Sequence, residues 1–339
     1  MKAAASRGAH GHPPALQRRT LLAGALASGA ALAAPSVFAQ AVYPNRPIRA
    51  LQGFAVGGNA DAIARLVGAE MSKVLGQPIV VESLAGAGGT KAAGEVARAA
   101  PDGYTLLLAT GGHSVAGALQ SKLPYDTVAS FQAVSTITFF PFLIVVRADS
   151  PWRSLADLLP AARHAAEGVA WGSAGVGTTH HLAGELLAKS AGLKLLHVPY
   201  RGDAMATTAL LGGEVPFIIA PATAVEAHVR AGKLRALAVT GAQRWLGMPE
   251  VPTVAQQGVA GYDVRSWAGW LLPAGAPKSV VQRLNEATRL ALLSPDVRGR
   301  LRQMGGEAQA GTPDDMHTLV AQELRKWTQL ARDAGIPKL

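Results

Sequence analysis

The sequence predicts an α/β protein with two lobes and a ligand cleft between them. Short apolar runs of strand length alternate with helical patterns, which is typical of parallel β-α units with helices on both faces of a sheet. The turns that follow these strands are rich in glycine. A strand, a glycine-rich turn and a helix follow one another near residue 48 and again near residue 169, so we expect one lobe to be built around each.

The first unit opens with an apolar run of strand length at residues 48–51. Ile63, Val67 and Met71 then recur at the spacing of one helix face, and Gly76 is expected to end this helix.

The turn inside this unit has the composition of an anion site. Gly57 and Gly58 stand just before the helix, where backbone N–H groups can face a guest without interference from side chains. We expect Asn59 to cap the first helical turn, and Asp61 to lie near the positive end of the helix. The alternative is an ordinary strand-to-helix turn of an α/β protein.

The first lobe continues with strands predicted at residues 79–82 and 105–109. Between them we predict a second glycine-rich turn at 83–89 and a helix at 90–100. The apolar run at 142–146 is expected to cross out of this lobe.

In the second lobe we expect Ser154 and Asp203 to cap helices and Gly232 to end one. Pro216 removes a ladder hydrogen bond, so its strand is expected to be an edge or to carry a bulge. The predicted strands lie at 169–171, 195–198, 215–220 and 234–239, and the predicted helices at 180–190 and 224–231.

From Thr240 the chain is expected to return to the first lobe, with a strand at 264–272. Two amphipathic helices, at 280–293 and 314–334, are separated by breaks at Pro295 and at Gly305-Gly306. The second lobe is then an insertion, and two crossover strands define a hinged cleft. The predicted domains are residues 42–141 with 240–339 for lobe 1, and 142–239 for lobe 2.

Composition excludes several classes of function. The chain has no cysteine, which excludes disulfides, thiolate metal sites and a cysteine nucleophile. The formal net charge is +10, and it falls to +6 without residues 1–41. Lysines and arginines are scattered instead of forming a stripe with aromatic residues, so a nucleic-acid partner is not expected.

The N-terminal residues have the composition of an export signal. Arg18 and Arg19 directly precede an apolar segment at 21–34, and Ala39 and Ala41 provide small residues for cleavage. Cleavage after Ala41 fits best, and cleavage after Ala39 is the alternative. The arginine pair suits the twin-arginine route, although the general export route remains open. The protein is therefore expected in the periplasm.

The sequence contains no convincing catalytic motif. A nucleophile elbow around Ser173 fails because Trp171 stands where glycine is required. His180 and His181 are adjacent on a helix and point about 100° apart, whereas metal pairs need a spacing of three or four. We expect His113 and His197 to make local hydrogen bonds. The sequence therefore predicts a binding protein without metal, cofactor or catalytic residues.

Many motifs in order resemble one family, the Bug-type periplasmic solute receptors of tripartite tricarboxylate transporters. The resemblance covers almost the whole chain from Tyr43 to Ile336. The motifs are Gly57-Gly58-x-x-Asp61, Leu75-Gly76-Gln77-Pro78, Gly86-Ala87-Gly88-Gly89, Pro101-Asp102-Gly103-Tyr104-Thr105, Leu123-Pro124-Tyr125-Asp126, Gly172-Ser173-x-Gly175-x-Gly177, His197-Val198-Pro199-Tyr200-Arg201-Gly202 and Ala231-Gly232-Lys233-Leu234.

This resemblance implies a two-lobed, type II-like periplasmic binding protein fold that closes on a small dicarboxylate, tricarboxylate or aromatic acid, like a Venus flytrap. It further implies that backbone amides of two opposed loops hold a carboxylate, and that three strand ends surround the distal group. By motif position, the first loop contributes Phe54, Val56, Gly57, Gly58, Asn59 and Asp61, and the second Ser173, Ala174, Gly175, Val176, Gly177, Thr178 and Thr179. The strand ends contribute Thr110, Gly111, Tyr200, Arg201, Gly202, Pro221, Ala222 and Thr223.

Three hypotheses of function follow. The first is a receptor that delivers its carboxylate to membrane permease subunits, or reports it to a sensor kinase. The second is an exported serine hydrolase that uses Ser173 with His180 or His181. The third is an exported structural or interaction protein, which predicts no affinity for small molecules.

Overall fold

A mixed β-sheet runs through residues 43–339, the part of the chain that the computed structural model describes; the predicted export signal lies outside it. The strand order is β2-β1-β3-β9-β4-β7-β5-β6, and β8 and β10 also pair with β4. The ten strands of this part are β1 (Ile48–Gln52), β2 (Ile79–Ser83), β3 (Thr105–Thr110), β4 (Phe131–Arg147), β5 (Val169–Ser173), β6 (Leu195–Pro199), β7 (Phe217–Pro221), β8 (Leu234–Val239), β9 (Arg265–Pro273) and β10 (Glu307–Ala308).

Helices cover the sheet and connect its strands. Within residues 43–339 they are α1 (Asn59–Leu75), α2 (Thr90–Ala97), α3 (Gly111–Leu119), α4 (Leu155–His164), α5 (Thr179–Ala191), α6 (Asp203–Gly212), α7 (Ala222–Arg230), α8 (Lys278–Ala291), α9 (Pro295–Gln303) and α10 (Pro313–Asp333). None of these helices is long and apolar enough to cross a membrane.

Strand β4 passes from one lobe to the other. Its residues 131–141 pair antiparallel with β9, and its residues 142–147 pair antiparallel with β7 and β8. The chain returns at Thr240, whose N–H donates to the Phe142 carbonyl at 2.9 Å and whose hydroxyl donates to the Val264 carbonyl at 2.7 Å. The predicted α/β fold with two lobes and two crossings is therefore confirmed.

The central strands of both lobes are parallel to their neighbours. Strand β1 lies between β2 and β3, and β5 lies between β6 and β7. Parallel strands send their carboxyl ends to the same edge, so the turns after β1 and β3 meet on one side and those after β5, β6 and β7 on the other. This arrangement brings the glycine-rich turns of the two lobes together.

Large aromatic side chains fix the sheet to its helices. Trp171 in β5, Trp267 and Trp270 in β9 and Trp327 in α10 are all buried completely or almost completely. Because packed interiors resist small displacements, these residues provide a rigid support for the turns at the cleft.

The predicted strands and long helices are confirmed with ends shifted by at most three residues, except that the strand predicted at 142–146 is the second part of the longer β4, which begins at Phe131. Two details, at Thr110 and at Pro216, were wrong. Thr110 is followed by α3, a helix that the glycine-rich segment did not indicate. Pro295 marks a boundary between helices as predicted, because α8 ends at Ala291 and Pro295 starts α9, where proline is favoured in the first helical turn. Pro216 lies just before β7, so this central strand needs neither edge nor bulge. Helix α2 ends at Ala97, three residues earlier than predicted.

Two predicted caps were also wrong. Asn59 and Asp203 are the first residues of α1 and α6, and the cap positions are taken by Gly58 and Gly202. By contrast, Ser154 caps α4 in a full capping box with Asp157, as its position predicts.

Candidate functional site

A cleft of about 910 Å³ lies where the glycine-rich turns of the two lobes face each other. Its wall is formed by the turns after β1 and β2, the start of α3, the turn after β5, and the first turns of α6 and α7. Phe140 of β4 and Ser266 of β9 contribute where the lobes join. The volume is that of a site for a small organic molecule.

Five helices begin at this cleft. The first turns or cap residues of α1, α3, α5, α6 and α7 all contribute to its wall. In four of them the cap residue makes no side-chain hydrogen bond to the helix: Gly58, Thr110, Gly202 and Pro221. Helices α8 and α9 also lack such a bond, so the feature specific to the cleft is the convergence of helix starts. The N–H groups of Gly57 and Gly58 were expected to face a guest, and this was wrong, because they donate to Asp61 and to the Ala55 carbonyl. The N–H groups of the first helical turns and the five helix dipoles favour an anion there.

Asp61 stabilises the first loop, which carries Gly57, from the side that faces away from the cleft. Its carboxylate is 3% exposed and accepts hydrogen bonds from the Gly57 N–H at 3.0 Å and from Arg65 Nε at 2.9 Å. The other oxygen lies 3.3 Å from Gln52 Nε2 and Ser83 Oγ. Burial acts to raise the pKa of Asp61, but its hydrogen bonds to Arg65 and Gly57 outweigh burial and hold that pKa below its ordinary value.

Ser173 and His197 shape the second loop in a similar way. Ser173 is fully buried, and its Oγ lies 2.6 Å from His197 Nε2. The same oxygen accepts the Gly175 N–H at 3.1 Å, and Thr178 Oγ donates to the Gly175 carbonyl at 2.7 Å. This network fixes the loop that carries Val176 into the cleft wall.

His181 supports the same loop from the helix. Its Nδ1 accepts the Gly177 N–H at 3.5 Å, and its ring stacks on that of His197 with centroids 4.3 Å apart. Burial lowers the pKa of His181 to about 4. Burial and the nearby His181 ring lower that of His197 to about 3. Both imidazoles are therefore neutral at neutral pH.

Part of the cleft wall is charged. Asp203 and Arg201 are the acidic and the basic side chain of the described wall, and His180 lies beside Asp203, with Nε2 3.2 Å from Oδ1. The His180 ring packs on Phe142 with centroids 4.2 Å apart.

Most predicted site residues line the cleft. They are Phe54, Val56, Gly57, Gly58, Asn59, Thr110, Ala174, Gly175, Val176, Thr178, Thr179, Tyr200, Arg201, Gly202, Pro221 and Thr223.

Five predicted residues lie behind the wall. Asp61 and Ser173 hold the loops as described above, and the Gly177 N–H is turned towards His181. Gly111 is packed against Ser266 and Thr179, and Ala222 is buried in the core of the second lobe. Their sequence positions are adjacent to the cleft, but local hydrogen bonds and packing turn them away from it.

Other wall residues were not predicted. The turn at residues 85–88 lines the cleft and could have been predicted to do so, because it is a second glycine-rich segment after a strand. His180, Asp203 and Ala204 directly follow predicted segments. Thr207, Thr208, Ala224 and His228 lie along helices, and only the packing of α6 beside α7 brings them to the cleft.

The wall does not assemble the hydrolase that the sequence left open. Ser173 pairs with His197 instead of His180 or His181, so the predicted pairing was wrong. The Ser173 side chain also lies outside the wall. Among residues 43–339, no group of three or more histidine, aspartate or glutamate side chains could hold a metal ion.

Comparisons with known proteins find relatives that match most of this chain. A relative from Pseudomonas sp. strain P51, the UPF0065 protein in the tcbD-tcbE intergenic region, is 39% identical over 316 residues, 92% of this chain and 93% of that protein. The structure of Rpa4515 from R. palustris with adipate has a TM-score of 0.83 and 34% identity, and covers 88% of this chain and 100% of its own.

The structure of MatC from Rhodopseudomonas palustris with bound malate has a TM-score of 0.79 and 34% identity, and covers 85% of this chain and 99% of its own. The family model described as "Tripartite tricarboxylate transporter family receptor" matches residues 63–336. The resemblance to Bug-type receptors is confirmed. The chain belongs to the receptor family of the tripartite tricarboxylate transporters.

Proposed function

We propose that this protein is a periplasmic receptor whose cleft closes around a small carboxylate and delivers it to membrane permease subunits. The observation that carries this proposal is the convergence of five helix starts on one cleft. Charge-assisted hydrogen bonds from backbone N–H groups are strong, so a carboxylate can be held there without a dedicated arginine. Adipate and malate, bound by two relatives, are both small dicarboxylates.

In this proposal one carboxylate lies between the turn at residues 54–58 and the turn at 174–179. The rest of the ligand extends towards the starts of α6 and α7. Lobe 1 consists of residues 42–141 and 240–339, and lobe 2 of residues 142–239. The change of strand partners after Pro141 and the return at Thr240 support these boundaries.

The remaining parts of the proposal concern export and the next partner. Family membership supports the periplasm, and we place the cleavage site after Ala41. Delivery to a permease follows from the transporter family, and a sensor kinase is the other partner that could read the closed state.

A charge placed beside the loop tests the proposal. Val176 is 40% exposed and lines the cleft, so Val176→Asp adds a negative charge with little effect on folding. Val176→Asn has nearly the same shape without the charge. We expect Val176→Asp to weaken carboxylate binding by about tenfold or more, since like charges repel at short range, and Val176→Asn to bind as the wild type does. Titration calorimetry measures both, with adipate and malate as the first probes.

Equal loss of affinity in the two variants would show that shape, not charge, is what the loop recognises. Equal retention would remove this loop from the carboxylate site. Unchanged melting temperatures without ligand show that both variants fold.

A further inference from the structure

A concentration of positive charge lies on α8 and α9, outside the cleft. Residues 289–302, from the end of α8 through most of α9, contain four arginines and one aspartate. This short segment carries half of the net positive charge of residues 42–339. None of its residues lines the cleft, so binding of a carboxylate between the lobes does not explain this charge.

The acidic side chains of α8 and α9 are paired with other arginines. Glu286 lies 3.8 Å from Arg283, and Asp296 lies 3.3 Å from Arg300. The remaining arginines of the two helices are exposed and have no carboxylate within 4.0 Å among residues 43–339: Arg289, Arg298 and Arg302. Three positive charges of this surface are therefore free to meet an external anionic partner.

Two exposed leucines lie among these arginines. Leu290 is 37% exposed and Leu293 is 56% exposed. Leu293 is close to Leu290 and Arg289, because its N–H donates to the Leu290 carbonyl at 3.1 Å and Arg289 lies one turn earlier. Helix α9 begins directly after it, where the Arg298 N–H donates to the Ser294 carbonyl at 3.0 Å. The surface therefore combines free cations with apolar side chains.

We propose that this arginine–leucine patch binds the surface of a membrane that contains anionic phospholipids. The patch consists of Arg289, Leu290, Leu293, Arg298 and Arg302. Guanidinium groups bind phosphate through paired hydrogen bonds, and the leucines can enter the boundary between headgroups and acyl chains. Residues 289–302 contain no aromatic side chain on which a base could stack, so a nucleic acid fits the patch less well.

This inference goes beyond the proposed function and does not depend on the ligand of the cleft. A receptor held at the membrane surface is concentrated beside the permease subunits that it is proposed to serve. Each basic side chain near an anionic surface adds to the attraction, and the attraction is screened by salt.

Cosedimentation of residues 42–339 with lipid vesicles tests the inference. One set of vesicles contains phosphatidylcholine alone, and the other contains phosphatidylcholine and phosphatidylglycerol in equal parts. We expect binding to the anionic vesicles that weakens with added salt. The double variant Arg298→Gln/Arg302→Gln should lower the partition coefficient by about tenfold or more, because it removes two of the three free charges.

Arg325→Gln/Arg332→Gln is the matched control, because both arginines are exposed on α10 and have no carboxylate within 4.0 Å in the described part of the chain. It removes the same charge from another helix and should retain most of the binding.

The contribution of the leucines is tested separately. Leu293→Ser should weaken vesicle binding by about fivefold or more, because an apolar side chain no longer enters the interface. Leu196→Ser is its control, since Leu196 is 53% exposed on β6, and it should bind as the wild type does. Unchanged melting temperatures show that the variants fold.

Absence of binding to both kinds of vesicle, or equal binding to both, would overturn the inference. Equal losses in the two double variants would also overturn it, because binding would then follow net charge and not this patch. Retention by membranes that contain protein, without binding to vesicles, would assign the patch to an acidic protein partner instead. Arg298→Gln/Arg302→Gln should bind carboxylates as the wild type does, so the proposed function and this inference can fail independently.

Discussion

Two aspartates at comparable sequence positions lie in different surroundings. Asp61 and Asp203 both follow a glycine-rich turn at the start of a helix. The Asp61 carboxylate points inward, where Arg65, Gly57 and Ser83 satisfy it, whereas Asp203 faces the cleft beside His180. Local sequence predicts a carboxylate at each helix start, but the direction of each side chain depends on strands that are distant in sequence.

Two histidines, His181, which is buried, and His197, which is half-buried, make stability depend on pH. His181 and His197 are neutral in the folded protein, with pKa values lowered to about 4 and about 3, while an unfolded histidine titrates near 6.5. As pH falls below about 6.5, the unfolded state binds protons that the folded state cannot. We expect each histidine to reduce the free energy of unfolding by roughly 2 kcal/mol between pH 7 and pH 5. Urea unfolding at the two pH values measures this loss.

His197→Asn should remove one such contribution, so the free energy of unfolding of this variant should depend less on pH than that of the wild type. Ser173→Ala is the matched control, because it breaks the same Ser173–His197 contact without removing a titrating group. An identical pH dependence in His197→Asn and wild type would contradict the assignment of a neutral His197.

At the scale of elements, the β5–α5 unit depends on close packing between Gly184 and Trp171. A Cβ added to Gly184 would lie 2.1 Å from the Trp171 ring, and that ring is fully buried. We expect Gly184→Ala to lower the free energy of unfolding by about 1–3 kcal/mol, because the ring cannot move without strain. Thermal unfolding followed by circular dichroism measures the change.

Gly299→Ala is the same substitution in helix α9, where no atom lies within 4 Å of the added Cβ. It should stabilise the protein by roughly 0.5–1 kcal/mol, because alanine is the better helix former. A Gly184→Ala variant that is as stable as Gly299→Ala would contradict the packing described for Trp171.

Sequence patterns predict most elements because apolar periodicity is local. The strand at residues 105–109 and the helix at 280–293 are clear in sequence and nearly unchanged in structure. Helix α3 has no comparable signal, since its start, Gly111-Gly112, has low helix propensity and tertiary packing stabilises it. Cap positions are similarly hard to predict, because Gly58 takes the cap position of α1 that Asn59 was expected to fill.

At the scale of the whole molecule, the site is made by two lobes that are separated in sequence. The position of the two glycine-rich loops at the cleft could be predicted, because turns after strands lie at the same edge of a parallel sheet. The corner at Asp203 and His180 could not, because α5 and α6 meet there only after β5 and β6 have paired. The class of ligand is therefore visible in the sequence, while part of the cleft wall emerges only from the fold.

The central claim, that the cleft binds a small carboxylate, is tested most directly by native mass spectrometry of residues 42–339 purified from the periplasm. We expect a bound species that denaturation releases as a small carboxylic acid, and a raised melting temperature when the same acid is returned to the empty protein. An empty protein whose melting temperature does not respond to a broad panel of carboxylates would contradict the account.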